Sequence, residues 1–135
     1  MKELYERAEA LGVTVVEVDD LPSGTRGEYI HEERLIKLDA GLSERQKKCT
    51  LAHELGHAHH GHTKPQSEAE RLRQERQAND YAAQALITAD AYAAAEAQYG
   101  PHIAALAFHL GVTPAVVRSW RSWWCRAKKC FPIAG

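Results

Sequence analysis

Residues Ser43 to Gln46 read SERQ, and this short stretch commits the middle of the chain to helix. A serine at the N-cap takes up one orphan backbone N–H, while a glutamine three residues on reaches back to the serine N–H. A helix is therefore predicted from there through His57, and Lys64 and Pro65 break it. The stretch TLAHELGHAHHGH, Thr50 to His62, begins on that helix and holds five of the chain's eight histidines. His53 and His57, four apart, share a face, because side chains at i and i+4 stand one above the other. The SEAE of Ser67 to Glu70 repeats the capping signature. RLRQERQANDYAAQALI then runs on without a breaker to Thr88, which predicts a second long helix.

Ahead of this pair the pattern changes. ELYERAEALG puts Leu4, Ala8 and Leu11 on one face of a short helix that Gly12 stops. VTVVEVD is a strand rich in β-branched residues and LPSGTRG is a turn by composition. Two further strands are expected near EYI and RLIKLD, the last bounded by Ala40 and Gly41. Beyond Thr88, TADAYAAAEAQYG predicts a helix ended by Gly100 and Pro101, and HIAALAFHLGVTPAVVRSWRSWW two more around Gly111. The fold class is therefore α+β: a small sheet of about three strands, antiparallel or mixed, with a mainly helical C-terminal half. At 135 residues the chain suits a single domain. Within it, 1–42 form the opening helix and sheet, 43–88 the two capped helices, and 89–135 the C-terminal helices, with a helix-turn-helix-like pair at about 101–121.

The formal charge of -1 hides an asymmetry: all 18 acidic residues and 12 of the 17 basic ones lie at or before Glu96. A basic end can meet nucleic acid or an acidic partner, although a solvated tail is the commoner explanation. No run nears the roughly 18 apolar residues that span a bilayer, and MKELYERAEALG lacks the apolar core of a signal peptide. The expected location is the cytoplasm, with no membrane partner. Cys49, Cys125 and Cys130 form an odd set without a CxxC pair, which suits a reducing compartment better than a disulfide framework.

His53, Glu54 and His57 make the HExxH arrangement. Two neutral imidazoles bind zinc at about 2.0–2.1 Å, and the glutamate beside them takes a proton from the water that the ion acidifies. A catalytic zinc wants a third protein ligand and one open position. The metzincin pattern would need glycine at position 60 and histidine at 63, where this chain has His60 and Thr63, with Gly61 and His62 each one place off. The next helix offers a glutamate instead. Leu72, Glu75, Asn79, Ala82 and Leu86 fall on one stripe, and a carboxylate in an apolar stripe is costly unless paired or bound to metal. Glu75 is thus the expected third ligand, and Asn79, one turn on, is placed to orient a ligand. His59, His60 and His62, at the helix end, are expected to cap it or face solvent.

AHELGHA followed by ERQANDYAAQALI resembles the ImmA/IrrE family of zinc metallopeptidases, whose motifs are HExxH and a downstream ExxxN leading into a small-residue helix. The resemblance covers roughly residues 35 to 120. It implies a minimal zincin-like fold and a gluzincin-like site, with His53, His57 and Glu75 as ligands of one Zn2+ and Glu54 as base. It also implies endopeptidase activity on a protein substrate. Members of the family often act on helix-turn-helix repressors, relieving repression of mobile elements or stress genes, so a bacterial, phage or prophage setting is expected. In zincins generally the substrate lies along an edge strand. That strand is expected to be RLIKLD, with Leu35, Ile36 and Lys37 as the contacts. For the oxyanion donor Tyr81, His31 and His60 stay open.

ALAFHLGVTPAVVRSW supports a second class of reading. Ala107, Gly111 and Val117 match the small, turn and β-branched positions of a helix-turn-helix, and Thr113 and Pro114 start its second helix correctly. Arg118 and Arg121 would then be presented to DNA or a partner. The same pattern describes any helix pair packed at that angle, and a scaffold role is the commoner one. Three readings follow: an active zinc endopeptidase, a DNA- or repressor-binding module, and a peptidase-like protein that binds its partner without cutting it.

Overall fold

The computed structural model describes residues 1–128. In chain order the elements are α1 (Lys2–Ala10), β1 (Thr14–Val18), β2 (Gly27–Ile30), β3 (Leu35–Asp39), α2 (Glu44–His59), α3 (Glu68–Leu86), α4 (Ala89–Tyr99), α5 (Ile103–Leu110) and α6 (Pro114–Ala127). A single 3-10 turn, His31–Glu33, links β2 to β3. This is the expected α+β class, and the helix boundaries follow their caps. Ser43 and Gln46 form the reciprocal capping box of α2. Ser67 takes the Glu70 N–H at the start of α3, and Thr88 takes that of Ala91 at the start of α4.

The sheet is mixed, in the order β1-β3-β2. β1 runs parallel to β3, with Val15 opposite Ile36, and β2 runs antiparallel on the other side, with Tyr29 opposite Ile36. The chain leaves β1, crosses to the far side to lay down β2, and returns through the 3-10 turn and Arg34, which takes the left-handed conformation at φ 49. RLIKLD is therefore the central strand, which corrects the expectation that it is an edge. Leu35, Ile36 and Lys37 have no free backbone edge to offer a substrate, and Ile36 is fully buried. Adjacency in sequence pairs β2 with β3, but it does not say which flank of β3 the more distant β1 will take.

Two apolar clusters share the helical spine. Leu4, Ala8, Ile36, Leu38, Leu51, Leu55 and Ala82 join α1, the sheet, α2 and α3. Ala83, Ile87, Tyr92, Leu106, Val112, Val117 and Trp120 join α3 to the C-terminal helices. Adjacent residues Ala82 and Ala83 thus place α3 in both. Trp120 is core, stacked on Tyr92 at 4.3 Å, while Trp124 is partly exposed. Leu72, counted on the apolar stripe of α3, is in fact exposed, so that stripe enters the core only from Ala82 onward.

α2 and α3 meet at Gly56. A Cβ built there would stand 2.7 Å from the Ala78 Cα and 3.0 Å from the Tyr81 Cβ, so only glycine permits this approach. Of the cysteines, Cys49 is a buried free thiol, and Cys130 lies outside the described residues. Among the described residues no single helix is long and apolar enough to cross a membrane.

Candidate metal centre

The close approach of α2 and α3 sets Glu75 opposite the histidine face of α2. His53 Nε2 and His57 Nε2 are 3.2 Å apart. The Glu75 carboxylate reaches both, with Oε1 3.4 Å from His53 Nε2 and Oε2 3.1 Å from His57 Nε2. These three are the group of side chains among the described residues whose donor atoms converge as metal ligands do. The fit to zinc can be tested on these edges. Ligands at about 2.0–2.1 Å in a tetrahedron stand about 3.3 Å from one another. The 3.2 Å between the two imidazole nitrogens matches that value, the Glu75 carboxylate turns one oxygen to each imidazole, and one ligand atom from each of the three residues lies within 4.8 Å of the others. Two imidazoles with one carboxylate is a donor set zinc takes with a position left open.

The electrostatics follow from the same contacts. Hydrogen bonds from His53 and His57 hold the Glu75 carboxyl well below the usual carboxylate range. Burial alone would lower the His53 pKa, but the Glu75 contact, the nearby Glu54 charge and the Asn79 side chain outweigh it and raise it. Glu54 is itself buried, 7% exposed, and burial pushes its carboxyl up against the opposing pull of His53 and His57. A carboxylate so placed is a stronger base than one in water.

His62 is expected from the sequence to cap α2 or face solvent, and Gln77 is not singled out there. His62 Nδ1 stands 2.9 Å from His57 Nδ1, and His62 Nε2 stands 2.7 Å from Gln77 Oε1. The end of α2 explains the first contact. Gly61 is left-handed at φ 65, the His62 N–H bonds the His57 carbonyl, and the Gly61 N–H bonds that of Ala58. This is a Schellman cap, which folds the second residue past the helix end back onto the third-last helical residue. His62 is thus not a solvent-facing histidine. The signal for it is Gly61, read as a helix stop.

A cleft of about 970 Å3 runs past the cluster, with β2 and the residues before it on one side and α3 and the start of α6 on the other. Gly27 lets β2 approach α2: a Cβ there would lie 2.6 Å from Thr50 Cγ2 and 3.3 Å from Glu54 Cγ. The outer edge of β2 has no strand partner among the described residues, so the free edge beside the cluster is Gly27–Ile30. Asn79 and His31 line the cleft, and His31 Nδ1 is 2.7 Å from the Tyr29 hydroxyl. Tyr81 and His60 are not among its lining residues; Tyr81 accepts from Arg7 and packs on His59.

α5 and α6 meet at 102°, an angle that suits a helix-turn-helix. Yet the first turns of α6 form the cleft wall through Thr113, Ala115, Val116 and Ser119. Arg118 stands in a notch between α3 and α6, whereas Arg121 donates to the Tyr92 hydroxyl and to the Pro101 carbonyl. The two arginines do not form one outward face.

The family model described as the IrrE N-terminal-like domain, Peptidase M78, matches residues 8–119. No curated protein matches the chain.

Proposed function

This chain belongs to the IrrE N-terminal-like domain family, Peptidase M78, and from that premise we propose that it is a zinc-dependent endopeptidase. The observation that carries the reading is the convergence of His53 Nε2, His57 Nε2 and the Glu75 carboxylate beside buried Glu54 in an open cleft. His53, His57 and Glu75 would hold the ion, which when bound supplies Lewis acidity toward water and toward a carbonyl oxygen.

The remaining chemistry belongs to the chain. Glu54 takes the proton of the attacking water and hands it to the departing amide nitrogen, roles for which its raised pKa suits it. Asn79 steadies His53 from α3. The free edge of β2 offers backbone N–H and C=O groups to an extended substrate, as in β-strand addition, with Gly27 keeping that edge against the base. Of the three candidate oxyanion donors, His31 is the one favoured by its place in the cleft.

The substrate we propose is a helix-turn-helix repressor of a phage, mobile element or stress system inside a bacterial cell, which rests on the family resemblance alone. Nothing in the placement of Arg118 and Arg121 favours DNA as the partner. The deciding experiment is to incubate helix-turn-helix repressors encoded beside this gene with zinc-loaded wild-type protein and with Glu54→Gln. Cleavage by the wild type alone supports the reading, and intact repressor in both tubes leaves only binding.

A further inference from the structure

We infer that His62 and Gln77 are positioning residues of the metal centre, holding the His57 ring with its proton on Nδ1 and the Nε2 lone pair turned to the ion. The inference rests on the ligand set proposed above.

Donor and acceptor logic carries it. Gln77 Oε1 has lone pairs and no hydrogen, so at 2.7 Å from His62 Nε2 it accepts, and that nitrogen bears the proton. A neutral imidazole has one protonated nitrogen, which leaves His62 Nδ1 an acceptor. Standing 2.9 Å from His57 Nδ1, it requires the hydrogen to be on His57. His57 Nε2 is then the nitrogen left for the ion: it lies 3.1 Å from Glu75 Oε2 and 3.2 Å from His53 Nε2, and the hydrogen it gives Glu75 in the metal-free chain is the one an ion would replace. The opposite tautomer would put a hydrogen where the ion belongs and set two lone pairs against each other at Nδ1.

The backbone makes this arrangement stiff. The Schellman cap ties His62 N–H to the carbonyl of the very residue whose ring it touches. One residue on, the Thr63 carbonyl accepts from buried Gln74, which pins the loop to α3. α3 also carries Gln77 and Glu75, so both ends of His57 are held from one helix. Ligating histidines usually give their second N–H to a carboxylate, a carbonyl or water. Here a second imidazole takes it, backed by a neutral amide, which orients the ring without adding charge.

The test measures zinc affinity of the full chain near neutral pH by competition with a chromophoric chelator, and reads ring protons in the zinc-loaded protein by long-range 1H–15N NMR. His62→Leu keeps the apolar contact usual at a Schellman cap, so circular dichroism should be unchanged. Its zinc affinity should fall about 10- to 100-fold, the usual effect of losing such a partner. Gln77→Leu should weaken binding in the same direction and Gln77→Glu should strengthen it, a split that a merely structural role would not produce. The spectrum should place protons on His57 Nδ1 and His62 Nε2. Wild-type affinity in His62→Leu, or a His62 proton on Nδ1, overturns the relay alone. Wild-type protein that takes up no zinc overturns the ligand set and the relay with it.

Discussion

Gly56 of α2 and Ala78 of α3 touch backbone to backbone: a Cβ on Gly56 would lie 2.7 Å from the Ala78 Cα and 2.9 Å from the Ala78 carbonyl oxygen. Neither atom can swing aside, so Gly56→Ala must push the helices apart. The cost expected is about 1–3 kcal/mol, that of overpacking a tight contact. Glu75 sits one turn before Ala78, so zinc affinity should fall with stability. Urea unfolding and zinc titration of Gly56→Ala check both, and an unchanged protein would show that α3 does not depend on this contact.

Gly27 makes the second close approach. Gly27→Ala should clash with Thr50 Cγ2, lift β2 from α2 and reduce peptide hydrolysis, because the substrate edge moves away from Glu54. Thr50→Ser removes that methyl group. The double variant should recover activity that Gly27→Ala loses, and failure to recover it would place the effect elsewhere.

Glu54→Gln keeps the shape of a buried side chain but cannot carry a proton. Hydrolysis should fall by about 10²–10⁴-fold, the range for a lost general base. Zinc content, read by atomic absorption, should stay at one ion per chain, since Glu54 is not among the converging ligand atoms. Loss of zinc together with activity would make Glu54 structural instead.

The His53 and Glu75 contact gives metal-free protein a pH signature. The Glu75 pKa is lowered in the folded state, so its contribution is present above the unfolded value of 4.5 and is lost as pH falls through the folded one. The His53 pKa is raised, so its contribution is full below 6.5 and is lost as pH rises through the folded value. With a chelator present, wild type should therefore exceed Glu75→Gln in melting temperature most between these two values. A difference that is flat from acid to alkaline pH would contradict the pairing.

Arg121 is spent inside the fold. Arg121→Ala should destabilise by about 1.5–3 kcal/mol through its lost charged hydrogen bonds, while exposed Arg118→Ala should be near neutral. Salt-dependent duplex binding that both substitutions abolish, with no loss of stability, would revive the DNA reading.

What could be read in advance was what helix periodicity controls. His53, Glu54 and His57 share a turn, and the capping box anchors their helix, so their meeting needs no tertiary knowledge. Glu75 is legible only in part from its stripe: Leu72 on the same stripe is exposed, and the carboxylate faces a cleft more than a core. The strand order escaped, because local pattern pairs β2 with β3 but is silent on where the chain crosses. His62 escaped for a nearer reason. Helical spacing stops at His60, and only the left-handed Gly61 turns the next side chain back toward His57.

The ligand atoms all come from the hairpin of α2 and α3, whereas β1 finds β3 only after the chain has laid down β2. Contacts close in sequence form before distant ones, since less chain entropy is lost in closing them. The histidines and Glu75 should then come together early in refolding, ahead of the strand that gives the substrate its edge. An ion present from the start would meet its ligands before the cleft exists, and would speed refolding more than it slows the return journey.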